Sequence, residues 1–157
     1  MQKINRLLLL GIIVLTVTAG FCSCDRKTIY YHYENTPLAG WEKNDTIMFD
    51  VSPVTAGSYR QELGLRIDDD YPFMGLCLVI RQVILPSGYE HSDTLNCSLV
   101  DEKGNKKGTG LSCYQYQFHV NTLRLQDGDS LHITVRHNMK REIMQGIRDI
   151  GIRMVRE

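Results

Sequence analysis

Four places in the chain gather side chains that ligate or react. Asp68-Asp69-Asp70 offers a run of carboxylate oxygens of the kind that hold calcium. Gly104-Asn105-Lys106-Lys107-Gly108-Thr109-Gly110 sets glycines beside lysines, as phosphate-cradling loops do. Ser87, His91 and Asp93 bring a hydroxyl, an imidazole and a carboxylate close together along the sequence. Five histidines and five cysteines supply metal-ligand types.

None of the four has the spacing its chemistry requires. The acidic triplet lacks the spaced Asp and Gly pattern of a dedicated calcium loop, so a solvated turn explains it. A phosphate loop needs Gly, four spacers, then Gly-Lys-Ser/Thr between a strand and a helix; here strands are expected on both sides, which makes a flexible hairpin. Ser87, His91 and Asp93 have no Gly-x-Ser-x-Gly elbow around them. His32, His91, His119, His132 and His137 are scattered, with His119 and His132 on faces expected to meet solvent, so only the fold could gather them into a metal site. Cys77, Cys97 and Cys113 are 20 and 16 residues apart, which matches no zinc pattern. In an oxidising compartment they allow at most one internal disulfide; the other reading is small apolar residues in the sheets, Cys97 being in phase with Leu95 and Leu99. No enzyme, no metal and no other cofactor is expected.

One cysteine does have a chemical context. Lys3 and Arg6 precede an apolar stretch from Leu7 to Ala19, which leads to Cys22 and Cys24. This is the order of a secretory signal, and the stretch is shorter than the roughly 20 apolar residues of a membrane-spanning helix. The lipoprotein peptidase needs a small residue just before the modified cysteine. Ser23 before Cys24 satisfies it and Phe21 before Cys22 does not. Residues 1–23 are therefore read as a lipoprotein signal peptide, Cys24 as the lipidated residue, 24–35 as the anchor and tether, and 36–157 as one domain. An ordinary cleaved signal without lipid is the alternative. Asp25-Arg26-Lys27, and the aromatic run Tyr30, Tyr31 and Tyr33 after it, suit a short tether leading into a first strand.

The chain has 18 Lys plus Arg and 18 Asp plus Glu. Removing residues 1–23 takes Lys3 and Arg6 and no acid, leaving 16 basic against 18 acidic residues. So balanced a domain has no electrostatic footprint for nucleic acid and no polybasic membrane patch.

The elements that must position these residues read as strands. Tyr59, Gln61, Leu63, Leu65 and Ile67 alternate with polar residues, as do Ile47, Phe49 and Val51, then Leu95, Cys97 and Leu99, and Leu131, Ile133 and Val135. Tyr114, Tyr116, Phe118 and Val120 share a face, and Ile150, Ile152 and Met154 close the series. Gly75–Leu85 is apolar on both faces and is expected to be a central strand covered on both sides. Turns fall at Asn44-Asp45, Pro53, Pro86-Ser87-Gly88, Lys103-Gly104-Asn105 and Asp127-Gly128-Asp129. One short helix is expected near 138–145, capped by Asn138, with Met139, Ile143 and Ile147 at four-residue spacing and Gly146 closing it. The fold class is all-β: an antiparallel β-sandwich, jelly-roll or Ig-like, with that helix near the C-terminus.

Several segments carry a family resemblance: Trp41 with Asp45 and Phe49, Leu65-Arg66, Tyr71-Pro72-Phe73 with Leu76, Pro86-Ser87-Gly88 with Asp93-Thr94-Leu95, Lys107-Gly108-Thr109-Gly110, and the closing Gly146-Ile147-Arg148-Asp149-Ile150-Gly151-Ile152. Together they resemble the gliding-motility lipoprotein H (GldH) family of Bacteroidetes over essentially the whole chain. The resemblance implies a non-enzymatic lipoprotein of the cell envelope, anchored to a membrane through its lipid, on the periplasmic side rather than the cell surface. Its implied partners are envelope proteins of the gliding or type IX secretion machinery, and it names no catalytic residues. Trp41, Tyr71 and Phe73, large aromatics beside turns, are the expected partner surface. The rival reading is a carbohydrate-binding surface lipoprotein, which needs an exposed aromatic platform that Tyr30, Tyr31 and Tyr33 would supply.

Overall fold

The computed structural model describes residues 27–157. The signal segment and Cys24 lie outside the described residues. The alternating runs become ten strands: β1 (Thr28–Asn35), β2 (Trp41–Glu42), β3 (Ile47–Val51), β4 (Gly57–Asp68), β5 (Gly75–Leu85), β6 (Tyr89–Ser98), β7 (Cys113–Leu125), β8 (Ser130–His137), β9 (Ile143–Met144) and β10 (Ile147–Arg156). They form two four-stranded sheets, ordered β1-β10-β4-β7 and β3-β8-β5-β6, with β2 and β9 as a separate pair. Every pairing is antiparallel.

Period two puts one face of each strand inward, and the two inward faces make one core. Leu63, Leu65, Ile150, Ile152 and Met154 of the first sheet are buried, as are Phe49, Leu78, Ile80, Ile133 and Val135 of the second. β5 does lie inside its sheet, between β8 and β6. It is not covered on both sides, however: Leu76, Leu78, Ile80 and Ile84 are buried, while Cys77, Val79 and Val83 on the other face stay partly exposed. β-branched and small side chains there suit the strand without needing a second layer above it.

The expected helix at 138–145 does not form. Asn138 N–H donates to Cys77 O at 2.8 Å, Cys77 N–H donates to the Met139 sulfur at 3.3 Å, and Lys43 N–H donates to Glu142 O at 2.8 Å. Ile143 and Met144 then pair with Glu42 and Trp41 as β9 against β2. An eight-residue helix is marginal alone, and cross-strand partners satisfy the same backbone groups. Gly146 is a point of close approach and not a helix cap. At φ +77°, a Cβ there would lie 2.2 Å from Tyr71 N. The segment 24–35, read as tether, contains β1, which pairs along β10 from Thr28 to Asn35.

The candidate loops find internal partners. Asp70 N–H donates to Asp68 Oδ1, Arg148 pairs with Asp68 Oδ2 at 2.9 Å, and Lys106 pairs with Asp69 at 2.5 Å. Asp101 Oδ1 accepts from Lys103 and Asn105 N–H, which folds the glycine-lysine segment into a β6–β7 connection. Cys77, Cys97 and Cys113 are free thiols, half-buried, buried and exposed in turn. Burial pushes the Cys97 thiol up to about 12.

Candidate functional site: a loop end and an edge cleft

Strand directions sort the loops into two ends. Thr28, the Ser52–Ala56 and Pro86–Gly88 connections, the Gln126–Asp129 turn and Arg156 lie at one end. The connections at 36–46, 69–74, 99–112 and 138–146 lie at the other. Thr28, where the first strand begins, is at the first end.

The aromatics proposed as a partner surface sit at the far end, but most of their area is inside. Trp41 is fully buried, its ring edge-on to His137 at 5.3 Å and its Nε1–H donating to Asp45 O at 3.0 Å. Tyr71 is buried, with its hydroxyl donating to Gly75 O at 2.9 Å. Phe73 is half-buried against Tyr71. A backbone carbonyl satisfies the polar tip of Trp41 and of Tyr71, which lets the rings leave water. The large apolar side chains that this end does expose are aliphatic: Leu111 at 93%, Leu38 at 91%, Met74 at 68% and Ile143 at 44%. Leu38, Met74 and Leu111 lie in loops and belong to no period that sequence reading could detect; Ile143 lies in the two-residue β9.

His137 is fully buried beneath Trp41, with Nε2 3.2 Å from Trp41 O. Burial pushes its imidazole below the usual range; Lys43 lowers it further and Glu142 opposes this. The unfolded chain therefore takes up a proton on this group at a higher pH than the folded domain. Stability is fully present above the unfolded histidine range near pH ~6.5 and is lost as pH falls below it. Thermal melts from pH 7.5 to 5.0 should show a falling midpoint, with a smaller fall in His137→Gln. An equal fall in the variant would assign the effect elsewhere.

A second feature lies at the edge where β6 and β7 flank the gap between the sheets. Here β7 carries a bulge: its register with β4 shifts between Gln61 opposite Asn121 and Glu62 opposite His119, leaving Val120 extra. Tyr116 and Phe118 point inward before the bulge, and Asn121, Leu123 and Leu125 after it. The bulge therefore re-aims Asn121 into the sandwich.

There it joins a polar chain that crosses the core. Gln82 of β5 and Gln61 of β4 are both buried, and Gln82 Nε2–H donates to Gln61 Oε1 between the sheets. Asn121 Nδ2 donates to Gln82 Oε1 at 3.1 Å and to Asp93 Oδ2 at 2.6 Å. Gln82 Nε2 also lies 3.5 Å from Asp93 Oδ2, and His91 Nε2 lies 3.2 Å from Asp93 Oδ1. A carboxylate only accepts, so Asp93 fixes which way both amides point. Gln61 Nε2 and Asn121 Oδ1 are left without a partner among the described residues. Each buried orphan costs about 1–3 kcal/mol, far more than a well-packed leucine pair would at these positions. In front of this chain opens a cleft of about 430 Å³, with Tyr89 and His91 from β6 on one wall and Asn121, Thr122 and Arg124 from β7 on the other. The sequence places Gln61 and Gln82 on the apolar faces of their strands; Asn121, re-aimed by the bulge, carries no such signal.

Two facing antiparallel sheets, a loop end with exposed aliphatic side chains and a polar edge cleft define a β-sandwich domain. The family model described as GldH lipoprotein matches residues 28–154, and the chain belongs to the GldH lipoprotein family. It is 28% identical over 152 residues to a gliding motility lipoprotein GldH of Flavobacterium johnsoniae, covering 92% of this chain and 94% of that one. It is 23% identical over 144 residues to a GldH homolog of Christiangramia forsetii, covering 85% and 87%. Among solved structures, a family GH115 4-O-methyl-alpha-glucuronidase aligns at a TM-score of 0.48 and 11% identity, over 86% of this chain and 18% of that one.

Proposed function

We propose that this chain is a lipid-anchored, non-catalytic interaction protein of the cell envelope, held on the periplasmic side by Cys24 and working with the gliding and type IX secretion machinery. Membership of the GldH lipoprotein family supports the gliding association. The observation that carries the interaction role is the opposition of the two ends. At about 3.6 Å per residue, the four steps from Cys24 to Thr28 reach at most roughly 14 Å, so an anchored domain keeps its first end against the bilayer. Leu38, Leu111 and Met74, its most exposed aliphatic side chains, then face away from the membrane, where another envelope protein can cover them. The lipid confines the domain to a thin layer, raising its effective concentration there, so a modest interface suffices.

Leu38→Ser combined with Leu111→Ser tests this. In a strain where deletion of the gene gives an envelope or motility defect, the double variant should accumulate normally, stay in the membrane fraction and fail to complement. Its stability should change by no more than about 0.5 kcal/mol per site, because neither side chain is buried. Full complementation would remove this end as the partner surface.

A further inference from the structure

We propose that the edge cleft between β6 and β7 binds an uncharged saccharide segment of one or two rings. The site opens on the side edge of the sandwich between β6 and β7, away from the aliphatic loops, so the inference does not depend on how those loops are used.

Its size, about 430 Å³, falls in the range of small-molecule sites. Its charge is balanced: the Arg124 guanidinium shares the cleft with the Asp129 carboxylate, and His91 is held by Asp93. An anion would meet Asp129, and a cation would meet Arg124. A neutral ligand rich in hydroxyls, each both donor and acceptor, is matched by such a mixture. Arg124 donates only, Asp129 accepts only and keeps Oδ1 open while Oδ2 takes Gln126 N–H at 2.8 Å, and the Thr122 hydroxyl does either. Beside these groups Tyr89, 60% exposed, lines the cleft with an aromatic ring of the kind that stacks on the C–H surface of a sugar, and Ile84 and Leu123 line it too.

The second, independent observation is the buried amide chain behind the cleft. Gln61, fully buried, has an unpartnered Nε2, and the bulge at Val120 exists where it turns Asn121 toward this gap. Of this amide chain Asn121 lines the cleft, and Gln82 and Asp93 behind it hold its amide in one orientation toward a ligand.

The test uses the full-length lipidated protein in detergent, with neutral di- to tetrasaccharides of glucose, mannose, xylose, galactose and N-acetylglucosamine as probes, read by saturation-transfer NMR and calorimetry. At least one series should bind. Tyr89→Ala and Arg124→Ala should each weaken that binding about tenfold or more with unchanged melting temperature, and Leu38→Ser should leave it unaltered. The proposal is overturned if no probe binds at about 10 mM, if binding persists in both cleft variants, or if an alternating threonine–valine decapeptide binds there and no sugar does.

Discussion

Trp41→Ala should lower the stability of the domain by about 3–5 kcal/mol, a large share of the roughly 5–15 kcal/mol that holds a domain of this size. Trp41 is the largest fully buried side chain. Its removal leaves a cavity under the β2–β9 pair, exposes the face of His137 and frees the Asp45 carbonyl that the indole N–H satisfies. A shift of this size lowers the melting temperature by more than about 10 °C. Loss of function in this variant would then report unfolding, and Leu38→Ser beside it supplies the contrast: same end of the molecule, no cavity. Equilibrium urea unfolding of the two variants checks the argument. A Trp41→Ala protein within about 1 kcal/mol of the parent would mean that the 36–46 loop refills the space, returning Trp41 to the partner surface.

Cys24→Ala should abolish lipid attachment altogether. With an acyl-chain analogue supplied during growth, the parent protein should carry the label and the variant none. Exported behind a signal that is cleaved without lipidation, the variant should also leave the membrane fraction, because the near-neutral domain has no polybasic surface to hold it there. Cys22→Ala should label like the parent, since Ser23 still precedes Cys24. Label retained in Cys24→Ala and lost in Cys22→Ala would reassign the anchor. Rescue of the deletion phenotype by an unlabelled, soluble Cys24→Ala protein would overturn the tethering argument while leaving the loop end and the cleft untouched.

The strand runs were legible because burial on one face writes itself into sequence at period two. Tyr59, Gln61, Leu63, Leu65 and Ile67 all point inward as their alternation requires, and so do Leu131, Ile133 and Val135. The 138–145 segment misled for the same reason. Met139, Ile143 and Ile147 do recur at helical spacing, yet Ile143 is among the exposed residues and Met144 beside it is buried, which is strand periodicity set by β2. Three residues of local pattern cannot outweigh a partner strand supplied from a hundred positions away. The burial of Trp41 and Tyr71 turns on a further point. Being next to turns does not expose Trp41 or Tyr71 once a backbone carbonyl is within reach of each polar tip.

By itself, then, the sequence determined the all-β class, the inward face of most strands, the absence of any spacing suited to a metal or nucleophile, and the resemblance to the lipoprotein family to which the chain belongs. These follow from local rules: side-chain alternation, turn chemistry and ligand spacing are all read over a few neighbours. Tertiary structure alone decided that Asn121 turns inward, that Gln61 and Gln82 meet between the sheets, and that Leu38, Leu111, Met74 and Ile143 share one end. A β-bulge shifts phase by one residue without leaving a mark in composition, and an inter-sheet contact joins strands whose residues are far apart in the chain. Both depend on which edges face each other, and only the closed sandwich specifies that.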